Sequence, residues 1–397
     1  MAAQLEYGAI SIDSNIMYSL GYKFDAGVLE QLKQFKNKHV VVVQPRIIHN
    51  EMVRHLSEPL DKLHTEIDKV RKESVRKLKV TEEIAFAAAE QLKGELNSIE
   101  LAEKIIADFY EDVNGILIDT KGYLDADELI DLYFRLEAPF ENNKDKKNEF
   151  PDAIALLCLD AWASSQNFKV VAVSNDKGWK NFAEGAANIE VVDDLPSALA
   201  IFQPHQRAIE IINSLLGNNF LDEGKRLFME IRDWVAGAVT DEVDLTVEAS
   251  SSFIYDYDDI TVEFESMKIL QKQGKNDPVD LIRVDGNEIV LSINVEVQCH
   301  VEATFSYFIR DGIDRDYVML GSSTEKTYES FNTLLLVTLE GDFAKSLDHI
   351  ELVEVEMQNN IDFVDFGTVQ PFFEPEPDDH YDYYTPMDNV PGEVDEI

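Results

Sequence analysis

Cysteine is nearly absent from this chain: 397 residues contain 2, Cys158 and Cys299. They are too few and too far apart for a disulfide framework. They read as buried apolar side chains in different predicted domains, which suits a reducing compartment. Basic side chains are also scarce, with 35 Lys and Arg against 77 Asp and Glu and a formal net charge of -42. A surface of that sign excludes general attraction to nucleic acid or to an acidic membrane. Long apolar runs are missing too. None approaches the roughly 20 residues that cross a bilayer, and the N-terminus lacks a basic-then-apolar leader pattern. The expectation is a soluble, cytoplasmic protein without a membrane partner.

What is present is ordinary globular material. Hydrophobic residues make up 45% of the chain, enough for a real core, and the length favours two domains. The charge is uneven. Residues 1–203 hold 23 of the 35 basic and 35 of the 77 acidic side chains, a net of about -12, which leaves about -30 for the remainder. The C-terminal half therefore carries most of the repulsion.

Residues 6–12 alternate into a strand that stops at Asp13, followed by the helical pattern SNIMYSL and a second helix, FDAGVLEQLKQF. HVVVVQ is a short apolar run of the buried parallel-strand kind. Pro45 then opens a helix to about Lys79, and Thr81, with Glu83 close behind, caps another to about Asp112. DADELIDLYFRL is a further helix. After the charged loop NNKDKKNE, Pro151 starts the helix FPDAIALLCLDAWASSQ. KVVAVSND and NIEVVDD are two more strands, and DLPSALAIF a last short helix. Strands alternating with helices predict an α/β domain over residues 1–203, a parallel sheet between helices with a helical insertion at about 56–136. Residues 204–240 read as a helical connector broken at Gly217-Asn218-Asn219. From about 241 to 370 the period becomes two, and Asp285-Gly286 and Asp311-Gly312 are turn signals. This predicts an antiparallel all-β domain, a sandwich or open barrel. Residues 371–397 hold nine acids and no Lys or Arg, the composition of a disordered acidic tail.

Four acids stand out. Asp13 and Asp176 end strands, Asp152 lies on the first turn of a helix leading into a strand, and Glu51 is on the second turn after another strand. In open α/β sheets ligands bind beyond the carboxyl ends of the strands. Four carboxylates gathered there repel one another unless a cation holds them. Hard oxygen donors select Mg²⁺ or Mn²⁺, which activates water and shields a phosphodiester. The plainer alternative is that Asp13 and Asp176 only cap the helices after them.

At this point the sequence resembles PIN domains. SIDSN (11–15) is similar to their opening Asp-Thr/Ser-Asn motif, and QPRIIHNEMVRH (44–55) to the second, a helix carrying an acid after a strand. FPDAIALLCLDAW (150–162) is similar to the third, and VVAVSNDKGWKNF (170–182) to the strand-end Thr/Ser-Asn-Asp motif. The resemblance spans roughly residues 6–195 and is nearest to bacterial PIN-like proteins with a long helical insertion. It implies a metal-dependent endonuclease, usually an endoribonuclease, with Asp13, Glu51, Asp152 and Asp176 as catalytic metal ligands. Asn15 and Ser174 would be supporting polar groups. It also brings a toxin or defence role into view.

The segment 68–80 is the strongly basic one. Lys69, Arg71, Lys72, Arg76, Lys77 and Lys79 would form a phosphate-binding arm, or a solvated helix face paired with Glu residues. Arg54, Lys144, Lys146 and Lys147 are further candidates for phosphate. His49 and His55 flank Glu51 at a spacing that is not HExxH, and read as surface or capping groups. Trp162 and Trp179 read as core. The tail interleaves acids with aromatics in imitation of nucleic acid, or simply solubilises the chain. Expected partners are RNA, with DNA as the alternative, a protein at the β domain, and a second copy of the chain. The rival to a nuclease is a non-catalytic PIN-like scaffold that binds protein through its β domain.

Overall fold

The computed structural model describes residues 6–36, 38–140, 146–203, 205–240, 245–271, 278–310, 316–345 and 347–371. Lys144, the Asp311-Gly312 turn, the tail from residue 372 and the side chains of Lys146 and Lys147 lie outside the described residues.

Strands β1 (Tyr7–Ile12), β2 (Val41–Pro45), β3 (Ile116–Ile118), β4 (Lys169–Val173) and β5 (Ile189–Val192) form one parallel sheet in the order β3-β2-β1-β4-β5. The central strands are buried along most of their length, which is why β2 and β4 read as runs of valine rather than as alternation. Helices α1 (Ser14–Ser19), α2 (Gly27–Glu30), α3 (Arg46–Lys77), α4 (Glu82–Lys93), α5 (Ser98–Asp112), α6 (Ala126–Arg135), α7 (Phe150–Gln166), α8 (Lys177–Gly185) and α9 (Leu195–Ile201) complete this α/β part.

Two expectations are corrected here. The helix from Thr81 to Asp112 is two helices, α4 and α5. Gly94 ends α4 with φ +73°, and Asn97 and Glu100 form a reciprocal capping box that starts α5. Strand β3 was not foreseen, because three residues after a helix carry no period.

Helices α10 (His205–Gly217) and α11 (Arg226–Thr240) follow. Then come β6 (Thr246–Ser250), β7 (Ile254–Ile269), β8 (Val279–Asp285), β9 (Glu288–Arg310), β10 (Tyr317–Gly341), β11 (Ile350–Met357) and β12 (Phe363–Thr368). The pairs β8/β9 and β10/β11 are antiparallel, and the larger sheet runs β11-β10-β9-β7. Gly286, at φ +61°, makes the foreseen turn between β8 and β9. Strand β10 runs unbroken for 25 residues. Its middle alternates half-buried and exposed positions, a period-two pattern carried mostly by polar residues. β6 and β12 pair in parallel, unlike β8/β9 and β10/β11.

By compactness the chain divides into two units. The first contains the α/β part, α10, α11 and the segments Phe264–Gln298 and Ser330–Ile361. Within it, the Ile282 carbonyl accepts from Gln34 at 3.0 Å and Gln203 at 2.7 Å, and the Gly27 N–H donates to Glu356 at 2.8 Å. Ile282, Val290 and Leu336 join the core of the parallel sheet. The second unit comprises Asp244–Glu263, Cys299–Glu329 and Asp362–Ile397. There Phe305 gathers Tyr255 and Phe366 at ring distances of 5.8 and 5.2 Å.

Among the described residues, no helix is long and apolar enough to cross a membrane. Cys158 and Cys299 are buried and unpaired, and burial pushes both thiols up to about 11. Both should resist a thiol-directed reagent in the native protein and react fully once it is unfolded. Rapid labelling of either in the native state would show that its surroundings open.

Candidate active site

The carboxyl ends of β1 and β4 carry the site. The register pairs Ile12 with Val173, and the Asp13 N–H continues the ladder to the Val173 carbonyl at 3.0 Å. Asp13 is therefore set beside Ser174, whose hydroxyl donates to Asp13 Oδ2 at 2.8 Å. Asp13 Oδ1 accepts from the Asn15 N–H at 3.2 Å, so the residue also caps α1. Asp176 likewise caps α8, with Oδ1 accepting from the Gly178 N–H at 2.6 Å and the Trp179 N–H at 3.3 Å. The capping and cluster readings of these two acids are compatible, since each cap uses one carboxylate oxygen, and the other oxygen of Asp13 accepts from Ser174.

Two groups that the sequence reading does not place at the site, Ser14 and Trp179, link the remaining acids. The Ser14 hydroxyl reaches Glu51 Oε2 on α3 at 3.0 Å and stands 3.4 Å from Asp13 Oδ1. The Trp179 indole N–H donates to Asp152 Oδ1 at 2.8 Å. Ser14 lies inside the SIDSN motif, so its signal was present. Trp179 is fully buried, as expected of a core residue, and nothing local announces its second task. Tyr22 is a third. It is held at φ +53°, an uncommon conformation for a bulky side chain. Its buried hydroxyl has no hydrogen-bond partner among the described residues. Burial, then the charges of Glu51 and Asp13, hold that hydroxyl protonated far above the usual tyrosine range.

The electrostatics show convergence. Asp13 is 2% exposed. Burial raises its pKa, partly offset by the hydrogen bonds from Ser174 and Asn15, and the charges of Glu51 and Asp176 raise it further. Asp152 is pushed up to about 7 by burial first, against the Trp179 hydrogen bond, with Asp13, Asp176 and Glu51 adding to the rise. No cationic side chain figures among these influences. Four carboxylates thus share one edge without a positive partner among the described residues. No three of them stand in finished metal-coordinating geometry among the described residues. The donor set is nevertheless all oxygen and partly desolvated, which fits a hard divalent cation.

Residues 10–179 match the family model described as a PIN domain. This part of the chain belongs to the PIN-domain family. No curated protein and no solved structure matches the chain. The family match covers all four acids and the inserted helices α3 to α6. PIN domains are generally nucleases, so the N-terminal part is a nuclease-type domain with nucleic acid as its class of substrate.

The other candidates spread around this PIN domain. Asn15 is exposed, and what it contributes to Asp13 is its backbone N–H. Arg54 is exposed, one turn beyond Glu51, and its guanidinium lies 3.4 Å from the His55 ring. His49 and His55 are half-buried rather than surface groups, because this part of α3 packs against α1 and α5. His55 meets the Tyr18 ring edge-on at 5.6 Å. On the distal part of α3, Arg71 pairs with Asp68 and Glu82, while Arg76 and Lys77 share Glu73. Lys69, Lys72 and Lys79 are exposed and make no ion pair among the described residues. Lys69 lies 18 residues along α3 from Glu51, or roughly 27 Å at 1.5 Å per residue. The basic segment is therefore remote from the acids and half neutralised.

Proposed function

We propose that this PIN domain is a divalent-metal-dependent endonuclease. On the family resemblance its substrate is single-stranded or structured RNA, and its setting a toxin or defence response. The observation that carries the reading is the cluster of buried Asp13, half-buried Glu51 and Asp152 and exposed Asp176, without a cationic partner among the described residues. Together these four would hold Mg²⁺ or Mn²⁺, and a bound ion there supplies charge neutralisation and an activated water for in-line attack on a phosphodiester.

The chain's own part is preorganisation. The β1–β4 ladder fixes the Asp13 backbone, and Ser174 fixes one of its oxygens. Trp179 anchors Asp152 Oδ1 and leaves Oδ2 free to turn toward the shared edge. Ser14 holds Glu51 until a ligand takes its place. The test is cleavage of single-stranded RNA by the purified chain with Mn²⁺ and its loss in EDTA. A wild type that cuts neither RNA nor DNA with Mg²⁺ or Mn²⁺, yet holds a protein tightly, overturns the reading. It would establish instead the scaffold acting through the β strands, a role favoured by the acid excess of the C-terminal half.

Lys69, Lys72 and Lys79 would steer the strand toward the acids. Replacing all three with Ala should weaken RNA binding about tenfold at low salt and lower the salt slope by two to three. Turnover at saturating RNA should be unaffected. An unchanged slope would return the segment to a solvated helix face.

A further inference from the structure

Two cavities in the first compact unit join the catalytic edge to the β strands. The larger, about 760 Å³, is lined by Gln271, Asn294, Asn332 and Asn359. None of these four side-chain amides is hydrogen-bonded to another described residue. They come from four places in the sequence: the segment after β7, β9, β10 and the segment after β11. Four amides without a hydrogen-bond partner among the described residues meet in one concavity and form a recognition surface, since each offers both donors and an acceptor.

The smaller cavity, about 290 Å³, shares Asp193, Asp194, Asn294 and Leu334 with the larger one. Its other wall includes Ile16, Ser19 and Asn175. Ile16 is on α1, the helix capped by Asp13, and Asn175 directly precedes Asp176. The smaller cavity is thus walled by chain neighbours of Asp13 and Asp176 and shares lining with the amide cavity.

Its charge selects what part of a strand it takes. The lining cation among the described residues, Lys180, is paired with Asp193. Asp194 is engaged in capping α9. Phosphates gain nothing there. Nucleobase edges, which mix donors and acceptors, match amides.

We infer that this amide-lined groove reads unpaired nucleobases of the strand whose backbone lies at the acidic edge, so that the β strands supply base selectivity to the PIN domain. The inference rests on the nuclease reading for the identity of its ligand. The 760 Å³ volume suits one or two bases with their sugars.

The test is binding of labelled RNA 10-mers of A, C, G or U to the full chain in EDTA, read by fluorescence anisotropy. Affinities should spread at least tenfold among the four. In Asn294→Ala/Asn332→Ala the spread should fall below threefold. As a check that needs no variant, the free nucleoside of the preferred base should displace the preferred oligomer from the wild type, and the other three should not. A wild-type spread below threefold, a spread kept by the double variant, or displacement by all four nucleosides or by none would overturn the inference. Cleavage is scored separately. Base-blind binding with Mn²⁺-dependent cutting removes this inference alone, whereas base-selective binding without cutting removes the nuclease reading alone.

Discussion

Asp152→Asn should abolish RNA cleavage while making the metal-free protein more stable. Asn keeps the oxygen that accepts from the Trp179 indole, so packing around α7 and α8 is preserved. It loses the charge that burial and three neighbouring carboxylates disfavour. The Asp152 carboxyl goes from 3.8 to about 7 on folding. That rise corresponds to at most about 4 kcal/mol of charging cost, and solvent at a partly exposed group reduces it to about 1–2 kcal/mol. A gain of that size moves the Tm of a chain this long by about 2–4 °C per kcal/mol, read at pH 8 in EDTA. Loss of one of four ligands should lower kcat by at least about a thousandfold, in the range seen when transition-state electrostatics are removed. A variant that is inactive but less stable would mean that Asp152 is a structural acid. A variant that still cuts would exclude it from the site.

The second large effect is a reversal of the pH profile by metal. Asp13 and Asp152 both have folded-state pKa values above the ordinary carboxylate range. Between about 4 and 7 the folded chain therefore binds more protons than the unfolded one. Stability contributed by this pair is present at low pH and is lost as pH rises toward 8. A divalent cation binds only the ionised set, so its effect grows as the protons leave. In EDTA, Tm should fall between pH 5 and pH 8. With Mn²⁺ at a hundredfold excess over its Kd, the protein should gain about 2.7 kcal/mol at pH 8. Asp13→Asn should lose most of that gain. The comparison is internal, because the acidic tail is the same in both proteins and any Mn²⁺ it binds cancels. Equal shifts in wild type and variant would place the metal elsewhere.

Much of the frame was legible because it is local. Valine runs of four or five residues between helical periods announce buried parallel strands, and a polar residue after each run marks where the strand must end. Asp176 was visible on that ground, Asp13 as the end of the alternating first strand, and Asp152 through Pro151 at its helix start. The order of four short motifs pointed to the PIN family, and the family match over residues 10–179 bears that out. The failures were also local in origin. β3 is too short for a period, the apolar period runs on from α4 to α5 across the short break that Gly94 and the Asn97 capping box make, and the middle of β10 alternates mostly in polar residues that resemble a loop.

The sequence alone determined which side chains end the strands and begin the helices, because strand period, helix period and capping chemistry act over a few residues. Only the tertiary structure decided how those side chains behave. The pKa of Asp152 depends on burial and on acids that lie up to 139 residues away along the chain. Ser14 and Trp179 matter through partners 37 and 27 residues away. The amide groove joins β5, α9 and the β strands of the C-terminal half. Burial, mutual repulsion and convergence depend on distances in space, and neighbouring residues along the chain do not encode them.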